Sequence, residues 1–211
     1  MTAMLKAADG LLHGFADAVF DSQSVFRSVL DALAHPGSVY QLAPQPPSPA
    51  PLAQASTAIC LALLDYETPL WLQPGLPEAQ QQLIARHLRF HCGCPVVTEP
   101  QQARFALIHA AAVMPALSCF HQGEIEYPDR SATLIVQVAG LNVDVDANAG
   151  DGVTLRGPGI RSSVRLAVDG LPAEFWRQWA DNTKLFPCGV DLIFVAGKHI
   201  AGLPRTTLVE S

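Results

Sequence analysis

Ala132-Thr133-Leu134-Ile135-Val136-Gln137-Val138 is a nearly continuous apolar run, rich in β-branched residues and without polar alternation. A strand of that composition is covered on both faces, which requires crossover connections and places the chain among proteins with helices packed on a sheet. Upstream, strand and helix signals alternate. Residues 105–109 read as a second buried strand, 95–98 and 69–72 as further strands, 77–90 as a polar-faced helix and 52–64 as an Ala-rich apolar helix. Gln23 to Ala34 carries Val25, Phe26, Val29, Leu30 and Leu33 at i, i+1, i+4, i+5, i+8, the spacing of one apolar helix face, with Ser22 as its expected N-cap. His35-Pro36-Gly37 stops that helix, and 38–42 reads as a short strand. Residues 43–51 hold five prolines in nine positions and must be extended chain.

Downstream, residues 115–120 are expected to form a short helix. At Leu141 the period becomes two. Leu141, Val143 and Val145 point one way, a turn of Asp, Asn and Gly follows, and Val153 and Leu155 return, which predicts an antiparallel hairpin. Residues 164–168 and 190–196 read as strands flanking a helix over 172–185 with Pro172 in its first turn. The alternation predicts an α/β sandwich. No repeat or composition break divides the chain, so 1–211 is expected to be a single domain, with 1–14 a flexible N-terminus.

Composition narrows the function classes. The chain has 211 residues, is 49% hydrophobic and only 15% charged, against about a quarter charged in ordinary soluble domains. Charge this sparse leaves apolar surface that a partner is expected to cover. A net charge of −6 with singly scattered basic residues excludes a nucleic-acid binder. No run approaches the 18 or so apolar residues of a membrane span, and the N-terminus lacks the features of a secretory signal, so a cytoplasmic location is expected. Cys60, Cys92, Cys94, Cys119 and Cys188 are an odd set without the density of a disulfide scaffold, which fits a reducing compartment.

Four constellations carry possible chemistry. His87, His91, Cys92 and Cys94 resemble a zinc set, but they crowd onto one helix end, where histidine is independently favoured, and a structural role is the better reading. Asp144, Asp146 and Asn148 have calcium-loop spacing, yet Ala149 and Leu155 stand where Gly and Glu are required; a turn explains them. Gly157-Pro158-Gly159, with Arg156, Arg161 and Arg165 nearby, is the best candidate for an anion, its glycines letting backbone N–H groups approach a ligand. No helix follows it, so by these residues alone a structural turn is the better reading and a ligand loop the second. Arg205, Thr206 and Thr207 group a guanidinium with two hydroxyls able to hold phosphate or phosphonate, though by these residues alone a solvated charge or a surface ion pair is the better reading. Serine-elbow, phosphate-loop and HExxH signatures are missing, and Lys6, Lys184 and Lys198 are the only lysines. A shared or scaffold role fits better than a self-sufficient enzyme.

The ordered set FRSVLDALAHPG (26–37), LRGPGI (155–160), GLPAEFW (170–176), FPCGVDLIFV (186–195) and GLPRTT (202–207) resembles the H subunits of bacterial carbon-phosphorus lyase from about Phe15 to the end. Two positions depart from that family's pattern: Cys188, and His35 where Arg is commoner before Pro-Gly. The resemblance implies a three-layer mixed-sheet fold similar to the pyridoxal-phosphate-dependent transferases, without that or any other cofactor. It implies a cytoplasmic homodimer that joins the G, I and J subunits and takes part in placing an alkylphosphonate on the ribose of a nucleoside triphosphate, with loss of adenine, to give ribose 1-methylphosphonate 5-triphosphate. A phosphonate or nucleotide ligand would then meet His35, Gly157, Pro158, Gly159, Arg161, Arg205, Thr206 or Thr207. A stand-alone pyridoxal-phosphate transferase and a purely structural dimer are the competing expectations.

Overall fold

The computed structural model describes residues 11–143 and 152–210. The apolar run 132–138 lies in the middle of its larger sheet. Strand β5 (Thr133–Gln137) pairs in parallel with β4 (Phe105–Ile108) on one side and with β9 (Asp191–Ala196) on the other. Beyond β4 come β2 (Leu70–Leu72) and β3 (Val96–Val97), also parallel; beyond β9 come β10 (His199–Leu203) and β1 (Tyr40–Gln41), both antiparallel. The result is a seven-stranded mixed sheet in the order β1-β10-β9-β5-β4-β2-β3. The protein is a mixed α/β fold.

Period-two geometry sends alternate residues of each strand to opposite faces, and here both faces are apolar. Ile135, Ile193 and Val195 join a core with α1 (Ala18–Ala34), α2 (Gln54–Leu63) and α3 (Glu78–Cys92), through Val25, Ile59 and Leu88. Leu134, Val136, Leu192 and Phe194 face the other way, onto α4 (Phe175–Thr183) and a second sheet. That sheet is four-stranded and contains β6 (Gly140–Val143), β7 (Val153–Arg156), β8 (Val164–Asp169) and β11 (Leu208–Glu210) in the order β11-β7-β8-β6. A fully buried large side chain of this kind contributes about 2–3 kcal/mol, so the double-faced sheet supplies most of the apolar stabilisation.

Four expectations change. The hairpin over Leu141 to Leu155 does not form: β6 and β7 both run antiparallel to β8, pairing Val143 and Val153 with Leu166, so they share a direction and cannot be the two arms of a hairpin. The calcium-spaced residues Asp144, Asp146 and Asn148, like Val145 of that hairpin, lie outside the described residues. The first helix begins at Ala18, because the Asp17 carboxylate accepts hydrogen bonds from the Val19 and Phe20 N–H groups while Asp21 accepts from the Asp17 N–H; that reciprocal cap outcompetes Ser22. Its apolar residues also divide, with Val25 and Val29 buried but Phe26 and Leu30 at least half exposed. Finally, residues 115–120 contain only a 3-10 turn.

Candidate functional site

Tertiary packing gathers three of the segments singled out in the sequence. At the end of α1 the chain turns through His35-Pro36-Gly37; the His35 N–H and its Nδ1 both meet the Asp31 carbonyl oxygen, at 2.9 and 3.0 Å. The turn between β7 and β8 lies directly on this corner. Gly159, at φ +82°, has its Cα against the Ala34 carbonyl, and a Cβ there would also come within 3.1 Å of Pro36 Cδ. Gly157, at φ +139°, leaves only 2.8 Å between an added Cβ and the Thr206 carbonyl oxygen. Positive φ and backbone-to-backbone contact both require glycine at these two positions. The Ile160 N–H closes the turn on the Gly157 carbonyl at 3.1 Å.

Candidate residues then separate by what they touch. His35, Pro158, Gly159 and Arg161 are exposed, and Arg161 has no ion pair among the described residues. Arg205 is different. Its backbone N–H donates to Asp191 Oδ1 at 2.7 Å, Nε donates to both Asp191 oxygens at 3.1 and 3.2 Å, and its terminal nitrogens donate to the Pro128 and Pro187 carbonyls, Ser131 Oγ and Asp191 Oδ2. All the N–H donors of a guanidinium are thereby engaged inside the protein. Arg205 is neither a solvated charge nor a free anion clamp; it pins β9 to the 128–131 segment. Thr207 is buried, its carbonyl accepting from Trp179 Nε1 at 2.9 Å and its Oγ1 lacking a partner among the described residues. Thr206, half-buried, meets the glycine turn through its backbone.

The family model described as bacterial phosphonate metabolism protein (PhnH) matches residues 13–210. The chain belongs to that family. It is 40% identical over 210 residues to the alpha-D-ribose 1-methylphosphonate 5-triphosphate synthase subunit PhnH of Rhizobium meliloti (strain 1021), covering 100% of this chain and 99% of that one. It is 29% identical over 188 residues to the putative C-P lyase subunit protein HtxG of Stutzerimonas stutzeri, covering 89% and 85% of the two chains.

In this PhnH-family chain the His87, His91, Cys92 and Cys94 group stays together at the end of α3, the two imidazole rings 4.6 Å apart, but its members also bond to backbone. His91 Nε2 meets the Leu12 carbonyl at 3.0 Å and the Cys92 thiol donates to the Cys60 carbonyl at 3.6 Å. Among the described residues, no three His, Cys, Asp or Glu side chains gather as metal ligands. His87 is buried with both ring nitrogens unpartnered, and burial together with neighbouring His91 lowers its pKa to about 4. The thiols of Cys60 and Cys92 are pushed up, the first by burial and the second by its hydrogen bond to Cys94; that same bond pulls Cys94 down.

Sequence reasoning missed a second set, at the carboxyl ends of the parallel strands. The Gln73 amide, just after β2, donates to the Ala110 and Val113 carbonyls and accepts from the Ala110 N–H. Gln137, at the end of β5, accepts from the Ala53 N–H at 2.6 Å and from Ser56 Oγ at 2.9 Å, anchoring the start of α2. His109 follows β4. The signal was a polar residue closing each buried run, LWLQ, FALIH and LIVQ, but its meaning depends on which strands lie side by side.

Proposed function

We propose that this chain is a non-autonomous subunit of the synthase that forms ribose 1-methylphosphonate 5-triphosphate from a nucleoside triphosphate and an alkylphosphonate, within the carbon-phosphorus lyase complex. The observation that carries this reading is the end-to-end likeness, at 40% identity over 210 residues, to the Rhizobium meliloti synthase subunit. Its partners are the G, I and J subunits and a second copy of itself, and its location is the cytoplasm. Apolar surface supports partner dependence: Val19, Phe20, Phe26 and Leu30 leave an exposed apolar strip along α1, Phe20 being 71% and Phe26 50% exposed. Patches of this kind are costly on a lone soluble chain. No helix among the described residues is long and apolar enough to cross a membrane.

The chain acts as one folding unit of the pyridoxal-phosphate-transferase type without the cofactor. Lys184 supports that reading, being an exposed residue paired with Asp181 at 2.7 Å, and Lys198 lies exposed in the turn between β9 and β10. A phosphonate or triphosphate oxygen meets the exposed corner made by His35, Gly157, Pro158, Gly159 and Arg161, with Thr206 at its margin, while Arg205 and Thr207 hold the corner from below. Co-expression of the tagged chain with the G, I and J subunits tests the reading. A stable assembly carrying all four by size-exclusion chromatography is expected; recovery of the tagged chain alone would overturn it.

A further inference from the structure

A hollow of about 370 Å³ opens at the carboxyl ends of β4 and β5, lined by His109, Gln137, Ala111, Ala112, Val138 and Ala139 among others. This is where open α/β sheets take ligands, because the strand ends leave a crevice that the crossover connections do not fill. The strand order also reverses next to it: from β2 the chain goes to β3 on one side, then crosses to β4 on the other. No Lys or Arg lines the hollow, so no side-chain cation is there to pair with a phosphate or carboxylate. The polar groups present are uncharged. Burial lowers the His109 pKa below the usual histidine range, leaving a neutral ring with one donor and one acceptor. That ring makes no hydrogen bond with the described residues; it is the His109 carbonyl that accepts from the Gln137 amide. The Gln137 oxygen is firmly held by α2, but its NH₂ group makes only long contacts, 3.4 Å to the Pro51 carbonyl and 3.5 Å to the His109 carbonyl, so its donor capacity is weakly used.

The geometry points to this hollow as a binding site for an uncharged planar nitrogen heterocycle, adenine in particular, with the base edge read by His109 and Gln137 and its faces against the alanine and valine wall. An amide donor beside an imidazole acceptor complements a ring nitrogen next to an exocyclic amine, a pattern adenine presents at N1 and N6. The side chains at 111, 112 and 139 are all alanine methyls, which offer apolar surface and little bulk. The choice of adenine rests on the synthase reading above, in which adenine leaves the ribose; the site's chemistry does not.

Calorimetric titration of the full chain with adenine, inorganic phosphate and methylphosphonate tests it. Saturable adenine binding at one site per chain is expected, with no binding of either anion in this hollow. His109→Ala, and Ala139→Phe, which fills the hollow from an exposed position, should each weaken adenine binding at least tenfold while the melting temperature stays near that of the parent. Gln137→Glu keeps the oxygen that α2 needs, removes the donor and should weaken binding similarly. No adenine binding, or binding unchanged by His109→Ala and Ala139→Phe, overturns the inference. Co-purification with the G, I and J subunits reads out separately, so an intact complex without adenine binding sinks this site and leaves the subunit reading standing.

Discussion

Gly159 lies with its backbone on the carbonyl oxygen of Ala34, fastening the β7–β8 turn to the end of α1. A methyl group at 159 meets backbone that cannot yield, and φ +82° is strained for any L side chain. Gly159→Ala should therefore cost about 3 kcal/mol or more. Gly197, at φ +59° with open space around it, is the control: Gly197→Ala should cost only about 1 kcal/mol. Urea denaturation of the two variants checks the difference, and equal losses would refute the close-packed turn.

Arg205 and Asp191 form a mostly buried bidentate pair, their side chains 13% and 22% exposed. Removing one partner strands the other. Arg205→Ala should destabilise by about 3–5 kcal/mol, and Arg205→Lys should recover little of it, because an ammonium cannot reproduce the fork that reaches Pro128, Pro187, Ser131 and Asp191 together. Denaturation midpoints at fixed pH measure this.

Arg161 gives the opposite pattern. It is exposed and carries no ion pair among the described residues, so Arg161→Ala should change stability by less than about 0.5 kcal/mol. If the corner it flanks binds an anionic substrate group, the same substitution should slow growth on methylphosphonate as sole phosphorus source. Unimpaired growth in a strain complemented only by the variant would remove Arg161 from the site.

His87 makes stability pH-dependent. Its folded pKa is depressed from 6.5 to about 4, so between those values the unfolded chain binds a proton that the folded chain refuses. Its contribution is complete above pH 6.5 and falls away as the pH drops toward 4, a loss on the order of 3 kcal/mol. Melting temperatures from pH 7 to pH 4 should decline accordingly. His87→Leu should flatten that decline; an unchanged slope would assign it to other groups.

How much could be read in advance varies by element. The 132–138 run identified itself as a two-face-buried strand because every residue of its centre is apolar, and it lies between β4 and β9. The helices were legible from periodicity, although α1 starts five residues earlier than its apolar stripe suggested, since Asp17 and Asp21 cap each other. The pairing of β6 and β7 was misread. Alternation marks a strand but does not name its neighbour, and β8 took both places.

By itself, then, the sequence determined the alternating α/β character, the covered central strands, the charge-poor surface and the ordered motifs that mark the family, because each of these is written in local composition and spacing. Tertiary structure decided the rest. Only packing brings Ala34, Gly159 and Thr206 to one corner, turns the Arg205 guanidinium inward to Asp191, and lines up His109 and Gln137 at neighbouring strand ends. Those relationships join residues distant along the chain, and the burial and hydrogen bonds that give each side chain its role exist only once the two sheets and their helices have closed on one another.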